Sequence, residues 1–349
     1  MTLSNKNIKD FFNVTDLKIV YRKNDNDLWN DVYNMLSYKS VDYLGLNIDY
    51  QLEYISQNYD DLIDFSIIIF FGDDPVAIWP FTIGHKAGET FLSSQGENIL
   101  PPLYIKGCSK KIIKKCNLEI FNLCNDISKK ISKKNWITAS PFSNNSFISN
   151  WHLLCVSNKA RASVIYNLYV DLSKDLDEIK SSYRSRYKTL INKGKKLWNI
   201  QVHHESINID IWNQFKMLHF EVAGKLTRSE KSWEIQYSNI KKGNAFLITV
   251  NNEDVLIGGA LFTYTDDEGR YDVGAYNRNM FDKPIGHIVQ SVAISELKNK
   301  GLLFYKIGRR FYEIDNPEPT GKELSISHFK EGFASFTLPE FILKNHMID

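Results

Sequence analysis

Cysteine is scarce in this 349-residue chain: Cys108, Cys116, Cys124 and Cys155 are the only four, with no C-x-x-C pair. Such spacing does not make a metal site. The first three recur every eight residues, near one helix face, and are expected to be small buried hydrophobes in a reducing compartment rather than disulfides. Long apolar runs are missing too. The longest, Ile67 to Phe71, is far short of the roughly 20 residues that span a bilayer. The opening MTLSNKNIKDFF has no basic stretch followed by an apolar one, so no secretory leader is expected, and the expected location is cytoplasmic. Neither sign of charge dominates: 43 basic residues against 41 acidic ones leave +2, which does not imply nucleic acid as a bulk partner. The phosphate-cradling G-x-x-x-x-G-K-[ST] loop, the dinucleotide glycine fingerprint, H-E-x-x-H and G-x-S-x-G are all absent, and no metal is expected.

What is present is an ordinary globular composition, 43% hydrophobic and 24% charged, with 18 Tyr and 21 Phe. The length suits two cores. In the first half, helical spacing predicts helices over Trp29–Leu36 and Asp49–Tyr59. Strands are expected at Leu17–Tyr21, Phe65–Phe71 and Val76–Ile83, the last two joined by the turn Gly72-Asp73-Asp74-Pro75, with a short one at Phe91–Leu92. Residues 109–134 read as an amphipathic helix whose lysines (Lys110, Lys111, Lys114, Lys115, Lys129, Lys130, Lys133 and Lys134) form either a solvated face or a basic face for RNA or an anionic surface. Strands at Trp136–Ala139 and Val164–Val170 follow, and the pattern changes near 160–175. This places one domain at 1–165 and a second at 166–349.

The second half opens with Ser173 as an expected N-cap and a helical stretch packed through Tyr183, Tyr187, Leu190 and Ile191. Lys180, Arg184, Arg186, Lys188, Lys193, Lys195 and Lys196 crowd the remainder, and Gly194 reads as an interruption before a strand at Ile200–His203. Helices over Ile209–Val222 and from about Ser229 to Lys242 precede strands at Ala245–Val250, Val255–Tyr264 and Arg270–Tyr276. A helix over Ile285–Lys300 is closed by Gly301, and Leu303–Ile307 is the next strand. Beyond Gly308 the chain is rich in Pro, Gly and ionisable groups and reads as a loop, with Arg309, Arg310, Asp315, Lys322, Glu323, His328 and Lys330. Open α/β sheets bind ligands beyond the carboxyl ends of their strands, so this stretch is the candidate functional end. The segment after Phe336 is expected to return to the first domain.

Three antiparallel strands, a helix and a strand, in that order, resemble the second half of an acetyltransferase-type (GNAT) fold, and the first half repeats a weaker version. Together with Ile257-Gly258-Gly259-Ala260, Pro284-Ile285-Gly286-His287 and the closing His328-Phe329-Lys330-Glu331-Gly332-Phe333, the chain resembles the FemAB-like transferases, in particular those associated with surface-glycan or flagellin-glycan biosynthesis. The resemblance covers residues 170–336 closely and 14–160 by architecture alone. It implies an α/β protein of two tandem GNAT-like domains, with mixed, largely antiparallel sheets flanked by helices, a degenerate first domain and a ligand groove between the two. It also implies an N-acyltransferase that moves an acetyl or aminoacyl group onto an amine of a cell-surface glycan, nucleotide-sugar or lipid-linked precursor. The donor implied is acetyl-CoA or another acyl-CoA, with aminoacyl-tRNA, as in peptidoglycan peptidyltransferases, as the alternative. The R/Q-x-x-G-x-G/A signature for the CoA pyrophosphate is missing; Asp282-Lys283-Pro284-Ile285-Gly286-His287 occupies its place. A long helical-hairpin insertion found in some tRNA-using members is missing as well. The alternative outside enzymes is a non-catalytic module that binds a nucleotide-sugar or a protein.

Acyl transfer to an amine needs a neutral nucleophile, donors for the oxyanion and a positioned donor group. His287, at a helix start, would take the amine proton as a neutral imidazole; Glu323 is the alternative base. Lys330, between Phe329 and Phe333, would aim its ammonium at a phosphate or an oxyanion. Tyr276 would serve as general acid, sharing a strand face with Asp272. Arg228, Lys306, Arg309, Lys322 and Gln290 are the expected substrate- or cofactor-binding residues, while Arg310 and Asp315 read as surface.

Overall fold

The computed structural model describes residues 10–12, 17–140, 148–280 and 283–346. Asp282 and residues 141–147 lie outside the described residues. The chain divides into two compact units, Met1–Val164 with Glu340–Asp349, and Ile165–Pro339.

In the first unit, strand β1 (Lys18–Tyr21) and helices α1 (Asn26–Asn34) and α2 (Gly45–Ser56) lead into five strands: β2 (Asp61–Asp64), β3 (Ile67–Phe71), β4 (Asp74–Trp79), β5 (Thr82–Lys86) and β6 (Glu89–Ser93). The returning arm expected over Val76–Ile83 is two strands. β4 pairs with β3 and β5 pairs with β2 and β6, because Pro80 ends one ladder before the other begins. Strand β7 (Leu103–Tyr104) precedes helix α3 (Lys110–Ile127), followed by a π-turn at Ser128–Ser132, strand β8 (Trp136–Ser140) and helix α4 (Asn150–Ser157). The apolar stripe of α3 is buried through Cys116, Ile120, Leu123, Cys124 and Ile127, and Cys155 of α4 is buried in the same core. Strand β9 (Arg161–Asp171) carries the chain into the second unit.

The second unit contains helices α5 (Leu176–Ser182) and α6 (Ser185–Leu197), strand β10 (Asn199–His203), helices α7 (Ile209–Ala223) and α8 (Glu230–Lys241), and the meander β11 (Ala245–Asn252), β12 (Val255–Tyr264), β13 (Glu268–Tyr276). Helix α9 (Ile285–Asn299), strand β14 (Phe304–Arg310), helix α10 (Gly321–Glu331) and strand β15 (Phe336–Asn345) complete it. The end of β15, Phe341–Asn345, pairs with β8 and is counted with the first unit. Strands β10 to β13 are antiparallel neighbours; β14 lies parallel to β13 and antiparallel to β9. Period-2 alternation sorts the meander between two cores. Phe246, Ile248, Val250, Ala260 and Phe262 face α6 and α9, while Ala245, Leu247 and Leu261 face α7 and α8 with Trp212, Phe215 and Trp233.

Three local expectations are corrected. Asp175, not Ser173, caps α5 by accepting from the Glu178 amide at 2.8 Å. Gly194 sits inside α6. Residues 321–331, expected as loop, are α10: the prolines end before Thr320, whose hydroxyl accepts from the Glu323 amide at 3.2 Å while the Glu323 carboxylate accepts from the Thr320 amide at 2.8 Å. This capping box satisfies two otherwise orphaned donors. Thr320→Ala is therefore expected to cost about 1 kcal/mol in chemical denaturation, while Glu323→Gln, which preserves the box, leaves stability near that of the parent. Equal losses in the two variants would contradict the capping role.

Candidate functional site

Strands β13 and β14 are hydrogen-bonded at one end only, where Glu268–Arg270 face Phe304–Lys306. Past that point they have no pairing with each other among the described residues, and Lys330 of α10 reaches both. Its Nζ lies 4.9 Å from the centre of the Tyr271 ring on β13. It also lies 2.7 Å from the place where a Cβ on Gly308 of β14 would stand. Gly308 has φ +144, a region that side chains rarely adopt, so glycine both permits the strand's course and leaves room for the ammonium. The Lys330 ammonium makes no hydrogen bond or ion pair among the described residues. Burial alone pulls it from the ordinary 10.5 down to about 8, because a low-dielectric setting disfavours the charged form.

Tyr276 joins this group through Tyr271. Its hydroxyl is 3.5 Å from that of Tyr271, and burial, then Tyr271, raises its pKa well above the ordinary value. The face it shares differs from the expected one. Leu261 opposes Val273 but Phe262 opposes Tyr271, so β13 carries one extra residue at Asp272. The bulge shifts the alternation and brings Tyr271, five residues away, to Tyr276. Asp272 instead accepts from Arg270 Nε at 2.7 Å and from the Thr263 hydroxyl. Gly258 on β12 lets this group assemble, since a Cβ there would fall 2.6 Å from Ile285 of α9 and 3.0 Å from the Tyr276 ring.

His287, in the first turn of α9, sits in an aromatic box. Ring centres lie 4.6 Å away for Tyr187, 5.0 Å for Phe329 and 6.2 Å for Phe333. Burial, then Arg186, pushes its pKa down to about 4, so the imidazole is neutral at physiological pH. Phe329 links His287 to Lys330 as the latter's neighbour in α10. The last turn of α10 is clamped from two elements. The Tyr187 hydroxyl donates to the Phe329 carbonyl at 3.0 Å, and Arg184 Nη2 donates to the His328 carbonyl at 3.1 Å. Glu331 meets Arg310 Nε at 3.0 Å and Arg184 Nη2 at 3.6 Å. Arg310, expected as surface, is thus part of the clamp.

The other expected residues are placed elsewhere. Glu323 is exposed, with its carboxylate committed to the capping box and its pKa lowered by the Thr320 hydroxyl and then the Thr320 amide; the structure gives it a helix-capping role. Lys322, beside it, is exposed. Gln290 is buried and accepts from the Tyr305 hydroxyl at 2.6 Å, a core contact. Lys306 is half-buried within β14, opposite Tyr169 and Arg270. Arg309 donates to Asp315 at 3.2 Å and lies 4.4 Å over the Phe311 ring, so Asp315 is an ion-pair partner rather than free surface. Arg228 belongs to the α7–α8 connection, over Trp233. The residues that sequence reasoning missed are Tyr271, Gly308 and Glu331. Only Glu331 left a signal, an acid standing next to Lys330 near the end of the ionisable stretch.

No family model matches this sequence, and no curated protein matches it. Solved structures do. FemX superposes with a TM-score of 0.66 at 12% identity, over 93% of this chain and 96% of that one. L-PGS from Bacillus licheniformis gives 0.55 at 11%, over 99% and 93%. A tandem GNAT protein from the clavulanic acid biosynthesis pathway gives 0.52 at 9%, over 96% and 100%. The chain has the tandem GNAT fold, and the FemAB-like resemblance holds at the level of that fold.

Burial of Lys330 has a measurable cost. Between about pH 8 and 10.5 the unfolded chain binds more protons here than the folded one, so stability rises with pH across that window. Lys330→Met is expected to be more stable than the parent at pH 7 by up to about 3 kcal/mol, with the gain fading as pH approaches 10.5. A pH-independent difference in urea midpoints would contradict this. Gly308→Ala, which crowds the ammonium, is expected to lose activity along with Lys330→Met.

Proposed function

We propose that this protein is an N-acyltransferase that moves an acetyl or aminoacyl group onto an amine of a cell-surface glycan or nucleotide-sugar precursor. The observation that carries the reading is Lys330, a buried cation held by a clamped helix turn between two diverging strands, without a counter-ion among the described residues. A module that only binds has no need of such a cost. The amine nitrogen attacks the carbonyl carbon of the donor ester or thioester, forming the C–N bond and an oxyanion. Lys330, still protonated roughly ten to one at pH 7, stabilises that oxyanion. The neutral His287 orients the nucleophile by accepting a hydrogen bond from it; its low basicity unsuits it to retaining the proton. The Tyr276–Tyr271 pair passes a proton to the leaving oxygen or sulfur as the bond to the acyl carbon breaks, and the amine's proton replaces it.

Between the two donors, one observation favours aminoacyl-tRNA over acyl-CoA. Helix α6 contains no Asp or Glu across Ser185–Leu197, and exposes Arg186, Lys188, Lys193, Lys195 and Lys196 opposite the buried Tyr187, Ile191 and Gly194. An acid-free basic face suits a polyanion, whose affinity falls with salt. The test is transfer of radiolabel from mixed aminoacyl-tRNA or from acetyl-CoA to amino-sugar nucleotides and to peptidoglycan precursors. Transfer from one donor is expected, with the rate falling as pH rises through about 8 and Lys330→Met slower by about 10²-fold or more. If neither donor is used, or if Lys330→Met works as well as the parent, the assignment fails.

A further inference from the structure

Helix α4, in the first unit, has apolar residues on both of its sides. The inner side is buried through Trp151 and Cys155, with His152 edge-on to Phe341 at 4.9 Å. The outer side carries no charge, and Leu153 and Val156, one turn apart on it, are 52% and 44% exposed. A helix with apolar residues on both sides is normally covered on both. The patch continues onto α3. Phe121 of α3 meets the Trp151 ring at 6.5 Å, and Leu118, three residues before Phe121, is 46% exposed. Ahead of Leu118 the charge is of one sign. Lys106, Lys110, Lys111, Lys114 and Lys115 are exposed, with no Asp or Glu between Lys106 and Leu118. None of the five makes an ion pair among the described residues. Lys106 and Lys110 share a groove with Ile148 and Trp151 at the start of α4, and Lys111 and Lys114 lie on the outward stripe of Leu118. The lysines that follow α3 are differently placed: Lys134 pairs with Glu89, and Lys130 lies 5.3 Å from the centre of the Phe11 ring.

Exposed aliphatic side chains rimmed by unpaired cations are complementary to an anionic bilayer, where the aliphatic groups enter the boundary between headgroups and acyl chains and the cations meet lipid phosphates. We propose that α4 and the head of α3 form a docking surface for an anionic lipid bilayer, with Leu118, Leu153 and Val156 entering the interface and the five lysines against the headgroups. A second copy seated face to face would bring two unpaired lysine sets together, which like-charge repulsion opposes. RNA bases stack on exposed aromatic rings or guanidinium planes, whereas this face exposes aliphatic residues. The inference does not depend on the acyl-transfer assignment. Loss of this surface and loss of Lys330 are separable, because no residue is shared.

The full chain is sedimented with vesicles of mixed phosphatidylglycerol and phosphatidylcholine, and with vesicles of phosphatidylcholine alone. Binding to the anionic vesicles is expected to be at least about 10-fold tighter and to fall as salt rises. The triple variant Lys111→Gln, Lys114→Gln, Lys115→Gln removes three charges worth about 5-fold each near such a surface, and is expected to weaken binding by about 10²-fold. The double variant Leu153→Ser, Val156→Ser keeps every charge and changes only exposed side chains, and is expected to weaken binding by about 10-fold or more. Equal binding to the two kinds of vesicle, binding to neither, or binding unchanged in either variant overturns the proposal. Two further outcomes would do so as well. Retention of tRNA that the lysine variant loses, without vesicle binding, would give the face to RNA. A dimer in sedimentation velocity that the Leu153→Ser, Val156→Ser variant dissolves would give it to a second copy of the chain.

Discussion

The second unit is organised around the cost of keeping one amine out of water. A buried cation without a counter-ion is disfavoured and lowers its own pKa to escape the penalty. Lys330 is held in that state because the turn carrying it has no freedom to turn outward. Its helix is started by a capping box and finished by contacts from α6 and β14, and its tip meets Tyr271 on one strand and the bare backbone of Gly308 on the other. Where β13 and β14 part, the sheet gives up ladder hydrogen bonds and gains a concave edge with an amine in it. The two apolar cores on either side of the meander supply the rigidity that lets those bonds be given up.

Much of this unit was legible in the chain. The 3.6 and 2.0 periods placed α7, α9 and β11 to β14 within a few residues, since each has a half-buried face that packing then confirms. His287 and Lys330 could be singled out because His287 follows Pro284-Ile285-Gly286 at a helix start and Lys330 lies between Phe329 and Phe333. What failed were features set by tertiary partners. Helix α10 reads as loop in the sequence because Pro317, Pro319 and Gly321 crowd its start, although Thr320 and Glu323 stand at capping-box spacing. Tyr271 was invisible because the bulge that turns it toward Tyr276 depends on how β12 pairs, not on the local sequence of β13. Glu323 looked like chemistry because an acid at the head of a polar stretch is the same letter whether it caps or catalyses.

The likeness to FemX, L-PGS and a tandem GNAT protein at 9–12% identity is a likeness of scaffold, and scaffolds host many chemistries. What individualises this chain is side-chain placement: an amine in the strand gap, a neutral imidazole boxed by three aromatic rings, and a helix with basic residues and no acidic ones. These features lie on different elements, yet all three are tied to α10 or to α6. That shared dependence makes the α6–α10 packing, through Tyr187 and Arg184, the mechanical link among them.

The extra residue at Asp272 bears on how this protein can change over time. Alternation along β13 is out of phase on the two sides of that residue, so deleting a single amino acid there would produce a strand with a more regular pattern. That shorter strand would keep Tyr271 and Tyr276, then four residues apart, on one face, and would lose the carboxylate that accepts from Arg270 and from the Thr263 hydroxyl. A one-residue difference in the third meander strand therefore decides whether the carboxylate is present and leaves the tyrosine–lysine contact in place.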